Sequence, residues 1–140
     1  MAWKHYPANI AGTPALVLID TRFARKAPLE ELPRLTWVAV YTNLPPVNSL
    51  WDPDETETLE AVEKDLLEAF EAHGLGWTVY VLRINTPGVW EYYFYHAPQA
   101  ETTPAVLELQ QAHAEYRIEA QTVIDADWKQ YRAYLPQKKT

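Results

Sequence analysis

The chain has no cysteine, one methionine and only four glycines in 140 residues. Without a thiol there is no disulfide framework, no thiolate nucleophile and no thiolate ligation of zinc or an iron–sulfur cluster. That fits a reducing compartment without requiring one. No phosphate-cradling glycine loop is present, and neither GxSxG, HxxxH nor HExxH occurs. Long apolar runs are missing as well. The longest aliphatic stretch, Ala15 to Ile19, is far too short to cross a bilayer. The opening Met-Ala-Trp-Lys-His-Tyr-Pro lacks the apolar region of a secretory leader. The expectation is a soluble, cytoplasmic chain that contacts no membrane.

What is plentiful is aromatic side chains and acidic charge. Six Trp, nine Tyr and three Phe are present, and the densest run is Arg83 to His96, RINTPGVWEYYFYH. The formal net charge is −7. Between Asp54 and Glu71 eight carboxylates face Lys64 alone, so this one stretch carries the whole excess, and the rest of the chain is balanced. Such a face repels phosphate backbones and attracts a basic partner. Its plainer role is a solvated helix surface that keeps the protein soluble.

At this length a single domain spanning 1–140 can bury its own core. Trp3 to Gly12 reads as a lead-in or a short edge strand, and Pro14 to Arg22 as a strand buried from two sides. Leu35 to Thr42 alternates as a strand, with Leu35, Trp37, Ala39 and Tyr41 on one face. Asp52, Pro53 and Glu55 form an N-cap, a first-turn proline and a capping-box partner for a helix that Gly74 ends. Trp77 to Ile84 and Val89 to His96 make a hairpin about Thr86-Pro87-Gly88. Thr103-Pro104 opens a second helix that ends near Tyr116. Arg117 to Asp125 returns to strand, and Asp127 with Gln130 caps a short helix that Pro136 stops, before a frayed Gln137 to Thr140 tail. The fold class predicted is α+β: a ferredoxin-like two-layer sandwich with a β-α-β-β-α-β core, an extra N-terminal strand and a short C-terminal helix.

Two stretches carry a family resemblance. The hairpin pattern Arg83-x-x-Thr86-x-Gly88-x-x-Glu91-x-Tyr93-Phe94-Tyr95 and the ending Asp127-Trp128-x-x-Tyr131-x-x-Tyr134-Leu135-Pro136 resemble the domain of unknown function 695 family. Ile19-Asp20 on an early strand, and Glu63 and Leu66 in an acidic helix, fit the same pattern. That family is similar in fold to RraB, a regulator that inhibits ribonuclease E by binding it. The resemblance implies a protein-binding role without an established activity, and the long acidic tail of RraB has no counterpart here.

The candidate sites come from the residues themselves. Arg83, Glu91, Tyr93, Tyr95 and Trp128 would line a ligand cleft between the hairpin and the closing helix, using charge-assisted bonds and ring stacking. The plainer reading is a cross-strand ion pair and a tyrosine ladder. Glu60, Glu63 and Asp65 are the candidate contacts for a basic partner. His5, His73, His96 and His113 are too scattered for a metal site, and no cofactor is implied. Asp20, Glu91 and Asp125 could supply a carboxylate pair, but nothing fixes their separation and no catalytic residue is assigned. Nucleic-acid binding is disfavoured because the aromatic hairpin lacks a basic surround. The expected function is a non-enzymatic protein-binding or regulatory module, with a small-ligand domain as the alternative and self-association through a sheet edge as a further option. Of the two hairpin rows, Trp90, Tyr92, Phe94 and His96 form one, and Glu91, Tyr93 and Tyr95 belong to the other. Two helices can meet only one row, so the second should be covered by the Trp128 helix, or failing that by a partner.

Overall fold

The computed structural model of the protein describes residues 3–47, 50–74 and 77–136. The Gln137 to Thr140 tail lies outside them. The described residues form a mixed α+β structure with six strands: β1 (Trp3–Ile10), β2 (Thr13–Asp20), β3 (Arg34–Tyr41), β4 (Thr78–Thr86), β5 (Val89–His96) and β6 (Arg117–Ile124). Three α-helices join them: α1 (Thr56–Gly74), α2 (Thr103–Ala112) and α3 (Lys129–Ala133). The strands form one antiparallel sheet in the order β1-β2-β4-β5-β3-β6.

The N-terminal segment is a full eight-residue edge strand rather than a lead-in. Tyr6, Ala8 and Ile10 share one side of it and pack on the core, and an edge position tolerates Pro7. Ala11 at φ 52° and Gly12 at φ 87° turn the chain tightly into β2, as hairpin loops with two positive φ values do. Strand β2 is fully buried on one side through Val17 and Ile19, whereas Leu16 and Leu18 on the other side are only half-buried. The expectation of burial from both sides therefore holds for one face.

Two apolar cores lie on opposite sides of the sheet. On the first, the helix face, Leu59, Val62, Leu66 and Phe70 of α1 and Val106 and Leu109 of α2 pack on Val38, Val40, Trp90, Tyr92, Phe94 and Ile118. Phe70 stacks on Phe94 with ring centroids 4.1 Å apart. On the second face, Val17, Ile19, Leu35, Leu82, Ile84, Tyr93 and Tyr95 meet Leu32 and the α3 residues around Trp128 and Tyr131. The second aromatic row of the hairpin is thus core beneath the C-terminal helix.

Helix starts differ from expectation in an instructive way. Asp52 accepts from the Asp54 N–H and caps a 3₁₀ turn, Pro53–Glu55, that runs into α1. Glu55 does not fold back on it as a capping box. Its carboxylate is buried and accepts the Asn43 and Leu44 N–H groups at 2.8 and 2.9 Å and the Tyr116 hydroxyl at 2.7 Å. Helix α3 is capped by Asp125 rather than Asp127. The Asp125 carboxylate accepts the Lys129 and Gln130 N–H groups at 2.9 and 3.1 Å, and Trp128 takes the left-handed N-cap position at φ 55°. Helix α2 ends at Ala112, and a turn, not helix, carries the chain to Tyr116.

Candidate functional site

The expected cleft is split by the sheet. Along β4 the pairing to β5 slips once, from Tyr80↔Phe94 to Leu82↔Tyr93, so Val81 is an extra residue. A bulge of this kind reverses which face the following residues occupy. Strict alternation from Tyr80 would set Arg83 on the face of Tyr93 and Tyr95. After the bulge Arg83 pairs with Tyr92 on the helix face. There its guanidinium lies 4.4 Å over the Trp90 ring and pairs through Nη1 with Glu63 of α1.

Tyr95 and Trp128, also expected in the cleft, are fully buried against each other with centroids 4.0 Å apart and planes within 11°. The Trp128 indole N–H donates to the Leu32 carbonyl at 2.8 Å. The Tyr95 hydroxyl donates to Asp125 at 2.7 Å and accepts the Tyr131 N–H at 3.2 Å. These bonds fix α3 on the sheet and leave neither residue a face for a ligand.

Glu91 and Tyr93 do open onto one site. A groove of about 380 Å³ runs over β5, β3 and β6 beside α3, lined by Glu91, Tyr93, Trp37, Val123, Lys129 and Gln130. Trp37 stacks beside Tyr93 with centroids 6.2 Å apart. The Glu91 carboxylate has no hydrogen-bond or ion-pair partner among the described residues, and burial raises its pKa. Burial, and then the charge of Glu91, pushes the Tyr93 hydroxyl up as well. Trp37, Lys129 and Gln130 were not among the site residues expected from the sequence. The alternation of β3 places Trp37 beside Leu35, which is the signal that was there to use.

The other two members of the expected carboxylate set, Asp20 and Asp125, are engaged. Asp20 holds Arg22 through a two-pronged ion pair, and Asp125 serves as the α3 cap. Of the acidic helix residues, Glu63 pairs with Arg83 and Asp65 with His113 at 2.7 Å, while Glu60 is exposed. Among the described residues no group of three His, Asp or Glu side chains is placed to hold a metal ion. No helix among them is long and apolar enough to cross a membrane. A wider groove of about 930 Å³, between β1 and the C-terminal end of α3, is bordered by Lys4, Arg25 and Leu135, and none of the buried polar residues among those described lines it.

Residues 1–136 match the profile described as "Family of unknown function (DUF695)". No curated protein and no solved structure matches the chain.

Proposed function

The chain belongs to the DUF695 family, and from that premise and its own geometry we propose that it is a non-enzymatic binding module that receives a basic segment of another protein. The observation that carries this reading is Glu91, a half-buried carboxylate without a basic partner among the described residues, set beside the stacked Trp37 and Tyr93 rings in an open groove. Removing a charge from water is costly unless it gains a counter-charge. A lysine or arginine side chain supplies one, and its alkyl stem can lie against the two rings. The acidic face of α1 lies across the sheet from this groove. It acts on such a partner by long-range attraction and not by contact.

We read the fold as a ferredoxin-like sandwich in the part formed by β3-α1-β4-β5-α2-β6. Supporting this are the strand order β4-β5-β3-β6 and the packing of α1 and α2 on one face. Strands β1 and β2 then extend the sheet at one edge. A small cationic metabolite is the second reading, favoured by a groove volume within the usual range for small-molecule sites.

The test is binding of Lys- and Arg-containing peptides, followed by tryptophan fluorescence, with Trp37→Phe assigning the change to the groove among the six tryptophans. We expect Glu91→Gln to weaken binding by at least roughly tenfold, since losing one side of a desolvated charge pair costs about 2 kcal/mol or more. Equal binding by wild type and Glu91→Gln would sink the proposal. Stabilisation by a free cationic compound, with silence across the peptides, would select the second reading.

A further inference from the structure

The helix face of the β4–β5 hairpin holds a compact patch of polar atoms that the protein does not pair. Arg83 Nε, both ends of the Asn85 amide, Trp90 Nε1 and the Tyr92 hydroxyl are buried with no hydrogen-bond partner among the described residues. The four residues form two facing pairs in the ladder, Arg83↔Tyr92 and Asn85↔Trp90, so their side chains emerge on one side. Asn85 and Tyr92 are 0% exposed and Trp90 is 1% exposed. Buried polar groups are ordinarily satisfied, and a cluster that is not asks for an occupant.

The chemistry of the patch selects that occupant. Arg83 Nε, Asn85 Nδ2, Trp90 Nε1 and the Tyr92 hydroxyl all donate, whereas only Asn85 Oδ1 and the Tyr92 oxygen accept. A cation would find too few oxygens, and an oxyanion finds a surplus of donors. Arg83 already holds one carboxylate, that of Glu63, and the Glu63 side chain is 22% exposed where it leaves α1. Glu63 can therefore turn out to water without unpacking the core. We propose that the patch binds a small monocarboxylate, which displaces the tethered Glu63 carboxylate from Arg83. The acidic excess of α1, the helix that carries Glu63, favours a singly charged ligand over phosphate. This site lies on the other sheet face from the Glu91 groove and stands or falls separately from it.

The decisive measurement follows the Arg83 Nε–H and Trp90 indole N–H signals by nitrogen-15 NMR during titration with sodium propionate. Sodium chloride at matched ionic strength and inorganic phosphate are the controls. Both signals should shift saturably with propionate alone. Glu63→Gln, which weakens the resident competitor, should tighten binding roughly tenfold. In Arg83→Gln the Trp90 shift should vanish, and Asn85→Leu provides a second variant should that one fold poorly. Signals that stay still in both wild type and Glu63→Gln, or that move equally with chloride, would overturn the proposal and leave water as the partner of these atoms.

Discussion

A buried and a half-buried glutamate, Glu55 and Glu91, show how far a side chain's surroundings outweigh its type. Burial alone would raise the pKa of Glu55, but the Asn43 and Leu44 amides and the Tyr116 hydroxyl outweigh it and hold the carboxylate below its ordinary value. Glu91 has burial without such bonds, and its pKa rises. Their effects on stability are opposite in sign. The contribution of Glu55 is present above the usual glutamate range and is lost as pH falls through its depressed folded value. We expect Glu55→Gln to cost about 1–3 kcal/mol at neutral pH, measured by urea unfolding, with the loss shrinking in acid. Glu91→Gln should raise the unfolding midpoint at neutral pH and lose that advantage as the wild-type carboxyl becomes protonated. His96 follows the Glu55 pattern. Burial lowers its pKa, Nδ1 lies 3.0 Å from the Ala97 carbonyl, and Nε2 is then left to accept from Thr36 at 2.8 Å. Its neutral form stabilises the fold above the ordinary histidine range and that support is lost in acid.

At the scale of elements, α3 is five residues long and is held almost wholly by what it touches. Trp128 stacks on Tyr95 and bonds Leu32, while Asp125 caps the helix and receives the Tyr95 hydroxyl. Trp128→Ala should cost about 3–5 kcal/mol in chemical denaturation, and Asp125→Ala about 1–2 kcal/mol through the cap alone. Much of this architecture was legible in the sequence. The two rows of β5, the apolar stripe of α1 and the covering role of Trp128 follow from periods of 2.0 and 3.6 residues. Other features were not, because they depend on what distant segments offer. Glu55 has the spacing of a capping box, yet Tyr116 and the Asn43 turn compete for its carboxylate and win. Asp127 looks like the cap in sequence, but the left-handed turn at Trp128 brings Asp125 to the free amides instead. The Val81 bulge has no glycine or proline to announce it, and it alone separates Arg83 from Tyr93. Two of the five residues expected in the cleft, Glu91 and Tyr93, still share a groove because β5 is regular. The Asn85 patch left no signal, since a strand asparagine is ordinarily a surface residue.

Across the whole molecule, the last element closes over the first. The Tyr6 hydroxyl donates to the Tyr134 carbonyl at 2.5 Å and the Tyr131 hydroxyl donates to the Asp20 carbonyl at 2.6 Å. Burial, followed by the Asp20 charge, pushes the Tyr131 hydroxyl up to about 12. A chain cut after residue 126 should keep the α1 and α2 core but expose Tyr95, Ile19 and Val17. We expect it to bind a hydrophobic dye strongly and to elute as aggregates, where the intact chain does not. The same closure sets an order of events during synthesis. Strands β2 and β5 precede Trp128 and Tyr131 along the chain, so the face these two side chains cover stays open to water until they too have left the ribosome. A stall just short of Trp128 would leave that sheet face free to find a wrong partner.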